Sequence, residues 1–304
     1  MTGDEPSALR YFARRVVRHV RWARREGLGR LIAEDRLDPR ERLRTAWSKW
    51  RWRRAHGAPP GQAQPVYLVG LQRSGTNMLV RGLDEAPEVE ARNENDSAVF
   101  RRFRLRSDAE LLRVLGRSRH RVVLVKPLCD SHRVTELLAL PGPRPGRALW
   151  MWRDVDDRAR SEVAKFGPAT LNALRGIAEG TIGAGWQGGG LGPAAKQLIA
   201  SFDYDTMDHH TAAALFWYVR NDLYFRLGLD RRPDVLLVSY GDMVRDPQAT
   251  ARRLCAFLDL PYRPSFAAGV VAGPAREKLT IDPRVRAMCD ELTGRLTAGV
   301  TQRG

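Results

Sequence analysis

Cysteine is scarce in this 304-residue chain, and long apolar runs are missing. The three cysteines, Cys129, Cys255 and Cys289, are widely spaced and form no C-x-x-C pair, which argues against a disulfide framework and a zinc cage. No stretch of eighteen consecutive apolar residues is present, and the first ten residues lack the basic and then apolar pattern of a secretory signal. We therefore expect a cytoplasmic protein that is neither secreted nor membrane-spanning.

Lysine is also rare, while arginine is abundant. Only five of the 51 basic residues are lysine, and the formal net charge is +16. This charge is unevenly distributed, because residues 1–60 hold 16 Lys and Arg against seven Asp and Glu. A strongly basic segment indicates an anionic partner. With 43% hydrophobic and 28% charged residues, the chain as a whole has the composition of a globular protein.

The sequence changes character near residue 60. Residues 8–52 carry apolar residues at three- and four-residue spacing with arginines between them, which predicts helices. Glycine and proline cluster at residues 56–65 and predict a domain boundary. Beyond it, short apolar runs at residues 66–69, 121–125, 148–152 and 235–239 are each followed by a helical pattern. Strands that alternate with helices predict a three-layer α/β/α domain with a central parallel sheet at residues 65–304, preceded by a basic helical extension at residues 1–60.

A glycine-rich turn follows the first predicted strand. Its residues are Gly70, Leu71, Gln72, Arg73, Ser74, Gly75, Thr76 and Asn77. A turn of this kind between a strand and a helix presents backbone N–H groups and the positive end of the helix dipole to a phosphate. The spacing of the two glycines is that of the nucleotide-binding P-loop, but Thr76 stands where that loop has its lysine. The turn therefore predicts a phosphate site that differs from the one in ATP-binding enzymes.

A second candidate anion site follows the strand predicted at residues 148–152. Arg153 comes at the end of this strand, and Asp154 is a candidate N-cap for the next helix. Ser161 follows eight residues after Arg153, about two turns into that helix. The spacing therefore predicts Arg153 at the strand end and Ser161 within the helix that follows it.

These motifs resemble those of the sulfotransferases that use 3′-phosphoadenosine 5′-phosphosulfate (PAPS). Residues 72–77 resemble the family's 5′-phosphosulfate-binding loop, and Arg153 with Ser161 resembles its 3′-phosphate motif. Residues 235–261 are similar to a late strand and helix of the family, so the resemblance covers residues 65–262. It implies that Arg73 contacts the leaving phosphate and the transferring sulfonate, while Ser74, Gly75, Thr76 and Asn77 supply hydrogen bonds.

The same resemblance indicates which residue takes the proton. The cytosolic steroid and phenol branch uses a histidine two residues after a strand lysine, but here Leu128 follows the strand lysine Lys126 at that distance. The chain is more similar to the bacterial and carbohydrate branches, which tend to use a carboxylate after the second strand. Glu94 is the first candidate for the general base and Asp96 the second, while Lys126 is expected to face the active centre. Further candidates are Asp130 and His132.

One part of the family pattern is missing. The late Arg-Lys-Gly sequence with which the cytosolic branch also holds the 3′-phosphate is absent, and Arg276 and Lys278 are weak substitutes.

The resemblance implies transfer of sulfonate from PAPS to a hydroxyl group of a carbohydrate, a glycolipid or another small molecule, without a metal and with adenosine 3′,5′-bisphosphate as product. Two alternatives stay open. A P-loop kinase would need a magnesium-binding aspartate at a strand end, where this chain has Lys126. A basic nucleic-acid-binding or scaffold protein is favoured by the charge and by the Arg-Trp alternation at residues 47–52, but two matched phosphate motifs argue against nucleic acid. Residues 8–54 would suit peripheral contact with the anionic inner membrane surface, and a homo-oligomer also stays open.

Overall fold

The computed structural model describes residues 39–181, 185–270 and 277–301. It divides into two units between Trp52 and Arg53. The basic extension contributes the helix α1 (Pro39–His56) to the described residues. The helical prediction for residues 8–38 lies outside them, and so does Arg276. No helix within the described ranges is both long enough and apolar enough to cross a membrane.

A five-stranded parallel sheet forms the centre of the second unit. Its strands run in the order β2-β5-β1-β6-β7, with the bounds β1 (Gln64–Gly70), β2 (Val89–Arg92), β5 (Val122–Val125), β6 (Arg147–Trp152) and β7 (Val235–Ser239). Two very short strands, β3 (Phe100–Arg101) and β4 (Arg104–Leu105), form a separate antiparallel pair. The four strands predicted from apolar runs are confirmed. Strand β2 has the sequence VEAR, which contains no such run.

Helices flank the sheet and confirm the α/β prediction. After β1 come α2 (Thr76–Asp84), α3 (Asp108–Arg117), α4 (Val134–Leu138), α5 (Val155–Phe166), α6 (Ala169–Ala178), α7 (Pro193–Ala200), α8 (His209–Asn221), α9 (Leu223–Arg226), α10 (Tyr240–Arg245), α11 (Pro247–Phe257) and α12 (Pro283–Thr301), with short 3₁₀ helices at Leu128–Arg133, Leu229–Arg231 and Pro264–Ala267. Asp154 caps α5 as predicted, because its carboxylate accepts hydrogen bonds from the backbone N–H groups of Asp156 and Asp157.

The sheet is apolar on both faces because helices cover both of them. Successive side chains of a strand point to opposite faces. Tyr67 and Val69 of β1 therefore pack in one core with residues of α8 and α12, whereas Val66 and Leu68 pack in another with residues of α2 and α11. All four side chains are fully buried. This two-sided burial explains why the strand sequences read as continuous apolar runs.

Gly82 allows α2 to approach the 3₁₀ helix Pro264–Ala267 closely. It is a buried glycine inside the helix, and a Cβ atom at this position would clash with the carbonyl oxygen of Phe266. Gly116 is also inside a helix, α3, but it is exposed and a Cβ atom there would meet no heavy atom within 4 Å.

We expect Gly82→Ala and Gly116→Ala to change stability in opposite directions. Alanine at position 82 pushes the backbone of α2 away from the 3₁₀ helix in a packed core, and this overpacking should lower the free energy of unfolding by roughly 1–3 kcal/mol. Alanine at position 116 has space and favours the helix, so it should stabilise the protein by about 0.4–1 kcal/mol. Urea unfolding followed by circular dichroism measures both changes. A Gly82→Ala variant as stable as the parent would contradict the close approach of α2.

Candidate active site

The glycine-rich turn begins where β1 ends. A serine in the connection that follows β5 anchors it there. The hydroxyl of Ser131, which follows β5, accepts a hydrogen bond from the Gly70 N–H at 3.0 Å and lies 2.9 Å from the Gly70 carbonyl oxygen. Ser131 is buried. The start of the turn is therefore fixed to the neighbouring strand.

The turn has a positive φ at three positions, Gly70 with 120°, Arg73 with 69° and Gly75 with 90°. Gly75 is also the residue before α2, and a Cβ atom on it would clash with the ring of Tyr240. Glycine is thus required there both by conformation and by space. Because Gly75 has no side chain to cap α2, the N–H groups in the first turn of that helix face the site with the positive end of the dipole.

The two segments predicted to bind phosphate lie side by side. The Nε of Arg73 donates a hydrogen bond to the Oγ of Ser161 at 2.9 Å, and Nη1 of Arg153 donates to the Arg73 carbonyl oxygen at 3.5 Å. Arg153 also stacks over the Tyr240 ring at 4.3 Å and lies 3.3 Å from a carboxylate oxygen of Asp157. The structure therefore brings Arg73, Arg153 and Ser161 together at the carboxyl ends of β1 and β6.

Several buried polar atoms at this place have no hydrogen-bond partner among the described residues. Among them are the hydroxyl of Ser74, whose residue is 0% exposed, and the Nε of Arg153. A buried polar group without a partner is costly. Both groups can donate a hydrogen bond, so an anionic oxygen would satisfy them.

A buried arginine ties the turn to two helices. Arg158 of α5 is 1% exposed and forms an ion pair with Glu162 one turn later. Its Nε donates to the Gln72 carbonyl oxygen at 3.3 Å, and its Nη1 donates to the Ala213 carbonyl oxygen of α8 at 3.1 Å. Burial lowers the pKa of Arg158 and raises that of Glu162. The sequence did not single out either residue.

The candidate base Glu94 lies beside Lys126. A carboxylate oxygen of Glu94 is 3.2 Å from the Lys126 Nζ, and the same Nζ donates to the Asn77 side-chain oxygen at 2.6 Å. The lysine thus connects the carboxylate to the start of α2. Burial raises the pKa of the Glu94 carboxyl above its usual range, and the Lys126 ammonium partly opposes this shift.

The other candidates for the base have structural partners. Asp96 accepts hydrogen bonds from the Arg92 Nη1 at 2.7 Å and the Ala98 N–H at 2.9 Å. Asp130 is buried and accepts from the Arg104 Nε at 2.6 Å and the Leu105 N–H at 2.7 Å. These contacts fix both carboxylates to the loop between β2 and α3.

His132 is enclosed by the glycine-rich segment that follows α6. A Cβ atom on Gly189 or Gly190 would clash with its ring, and the buried Nδ1 has no partner among the described residues. Burial, followed by the charge of Arg220, lowers the pKa of His132 to about 4. The imidazole is therefore neutral at physiological pH and is a weak base.

Lys278 lies along helix α5. The Glu277 carbonyl oxygen accepts a hydrogen bond from the Arg160 side chain, and the Leu279 N–H donates to the Asp156 carboxylate at 3.1 Å. The main chain on both sides of Lys278 is thus bound to the helix that carries Ser161.

Comparison with known proteins supports the resemblance to the sulfotransferase family. The model of the Sulfotransferase family matches residues 193–264. No curated protein sequence matches the chain significantly. Among solved structures, a sulfotransferase from Alicyclobacillus acidocaldarius is similar with 17% identity and a TM-score of 0.43, over 79% of this chain and 96% of that one. The sulfotransferase domain from the curacin biosynthetic pathway follows with 12% identity and a TM-score of 0.41, over 76% and 98%.

A mouse sulfotransferase complexed with PAP is similar with 13% identity and a TM-score of 0.39, over 77% of this chain and 85% of that one. The family match lies outside both phosphate motifs, so it is independent of them. This match confirms the resemblance of the chain to the sulfotransferase family. It also supports sulfonate transfer in general.

Proposed function

We propose that the chain transfers sulfonate from PAPS to a hydroxyl group of a carbohydrate, a glycolipid or another small molecule. The observation that carries this proposal is the contact of the two phosphate segments, in which Arg73 reaches Ser161 and Arg153 lies next to the Arg73 carbonyl. A donor with phosphates at both the 5′ and the 3′ position needs two adjoining anion sites, whereas ATP needs one continuous site.

The residues fit such a donor. The unpaired Ser74 hydroxyl and the N–H groups at the start of α2 would bind the 5′-phosphate, and the unpaired Nε of Arg153 with Ser161 would bind the 3′-phosphate. Lys278, held along α5, is suited to replace part of the missing late motif. The bound donor would supply an activated sulfonate, with adenosine 3′,5′-bisphosphate leaving through its 5′-phosphate oxygen.

Each charged residue then has a distinct role in the transfer. Negative charge builds up on the leaving phosphate, and Arg73 stabilises it from a fixed position as a permanent cation. Glu94 takes the proton from the acceptor hydroxyl as its oxygen forms the new bond to sulfur. Lys126, between Glu94 and Asn77, holds the carboxylate next to the phosphate turn.

A P-loop kinase is the second candidate reaction. It would require a lysine where Thr76 stands and an aspartate where Lys126 follows β5. Because neither residue is present, the observations favour sulfonate transfer.

We expect the chain to bind adenosine 3′,5′-bisphosphate much more tightly than ATP, with or without magnesium. Arg153→Ala should weaken binding of adenosine 3′,5′-bisphosphate by roughly ten- to a hundredfold and leave 5′-AMP nearly unaffected, because a charged hydrogen bond to the 3′-phosphate is lost. Arg73→Ala should weaken both nucleotides. Isothermal titration calorimetry measures all of these affinities.

Arg245→Ala is the matched control, because Arg245 is exposed and pairs with Asp242 within α10. It should bind every nucleotide like the parent. Equal binding of ATP, or identical behaviour of the Arg73 and Arg153 variants toward the two nucleotides, would overturn the assignment of the two sites.

We expect Glu94→Gln to lower turnover by roughly a hundred- to ten-thousandfold, since this is the usual contribution of a general base. The affinity for adenosine 3′,5′-bisphosphate should stay nearly unchanged, because the carboxylate serves the acceptor. Turnover is measured with a panel of sugar and phenol acceptors. Asp96→Asn is the control and should have a milder effect, since Asp96 already binds Arg92 and Ala98. Normal turnover in Glu94→Gln would place the base elsewhere.

The pH dependence should report the raised pKa of Glu94. A general base must be deprotonated, and burial keeps its proton on up to a higher pH than in a solvated glutamate. As the pH falls, kcat/KM should therefore begin to decline at a pH above the ordinary glutamate range. A pH–rate profile checks this, and an acid limb at or below the ordinary range would contradict Glu94 as the base.

A further inference from the structure

Helix α1 carries an exposed apolar face that is not used in the proposed reaction. Leu43, Trp47 and Trp50 are 71%, 58% and 46% exposed. Their spacing of four and three residues places them on one side of the helix. We call these three residues the Leu-Trp face. A group of large apolar side chains exposed together on a protein surface is unusual and marks an interaction site.

Arginines border the Leu-Trp face on both sides. At about 100° per residue, Arg44 and Arg51 lie on one side of it and Arg53 on the other, and Arg54 continues it toward the end of the helix. The guanidinium of Arg51 stacks over the Trp47 ring at 5.3 Å. The helix as a whole contains seven Lys and Arg and a single Glu. An apolar centre with a cationic border is the pattern of a helix that lies on a membrane surface.

We propose that the Leu-Trp face docks on an anionic lipid bilayer. Tryptophan rings favour the level of the lipid headgroups, and the bordering arginines would contact lipid phosphates while their stems cover apolar surface. The exposed Leu43 favours a bilayer over a nucleic acid, because an aliphatic side chain gains little from contact with a phosphate backbone. The helix would lie in the interface, since it is too polar to cross the membrane. This proposal does not depend on the reaction that the second unit performs.

Vesicle flotation with the full chain tests the proposal. Vesicles of phosphatidylcholine with phosphatidylglycerol should carry the protein upward, and vesicles of pure phosphatidylcholine should bind at least tenfold less. The double variant Trp47→Ser/Trp50→Ser should lose at least tenfold of the binding to anionic vesicles, because two large apolar side chains no longer enter the interface. Arg51→Gln and Arg53→Gln should each lose about fivefold, which corresponds to about 1 kcal/mol per basic residue.

Trp52→Ser is the matched control, because Trp52 lies on the opposite side of the helix from the Leu-Trp face. It should bind anionic vesicles like the parent, and circular dichroism verifies that all variants keep their helix content. Equal binding of the parent and the double tryptophan variant would overturn the proposal. Binding of a labelled RNA that the double variant loses, with no binding to vesicles, would overturn it in favour of a nucleic acid.

Discussion

The parallel pairing of β1 with β6 is the constraint on which the site depends. In this register Gly70 lies opposite Met151, so the two strands end within one residue of each other and their following loops start side by side. The residues between them in the chain, including β2 and β5, are placed on the other side of β1. A crevice forms at such a change of direction in an open parallel sheet, and ligands bind there. The contact of Arg73 with Ser161, 88 positions apart in the chain, follows directly from this strand order.

Pairing of the strands alone does not fix the conformation of the glycine-rich turn. The buried ion pair of Arg158 and Glu162 restrains it further. Placing two charges in an apolar interior is costly, and removing one partner of such a pair usually costs about 3–5 kcal/mol. The pair is compensated here because Arg158 also binds the carbonyl oxygens of Gln72 and Ala213. A cation that is fully enclosed can hold two backbone segments with little freedom. The turn is thus held from one side by Arg158 and from the other by Ser131.

Much of the fold was predictable, because a strand that is buried on both faces has a short, continuous apolar sequence. The strands at residues 66–69, 121–125, 148–152 and 235–239 were found in this way, and the N-cap Asp154 was found from its position after a strand. Strand β2 was not found by its pattern, since it lies at the edge of the sheet and three of its four residues are only half-buried. Its place was inferred only from the family resemblance, and Glu94 follows it as that resemblance implies.

The roles of individual charged residues were harder to predict. Residues 153–162 contain four arginine or glutamate side chains and three aspartates, which along a helix normally indicates an exposed surface. Only the three-dimensional packing against α8 shows that Arg158 and Glu162 are buried while Asp157 is not. Ser131 gives no sequence signal at all, because its function is a hydrogen bond to a residue 61 positions earlier.

Arg153 and Arg158 lie five residues apart and show how the chain separates a ligand-binding arginine from a structural one. Arg158 has a buried carboxylate and two carbonyl oxygens, so an incoming anion would have to break contacts that hold the turn. Arg153 has the face of the Tyr240 ring, the more exposed Asp157 and an unpaired Nε. An anion can add to these contacts without leaving a buried carboxylate unpaired. Because Asp157 lies near solvent, its interaction with Arg153 is screened and easily exchanged. The site therefore has two arginines with different roles. Arg153 stays available for the ligand, while Arg158, neutralised by Glu162, maintains the geometry of the turn.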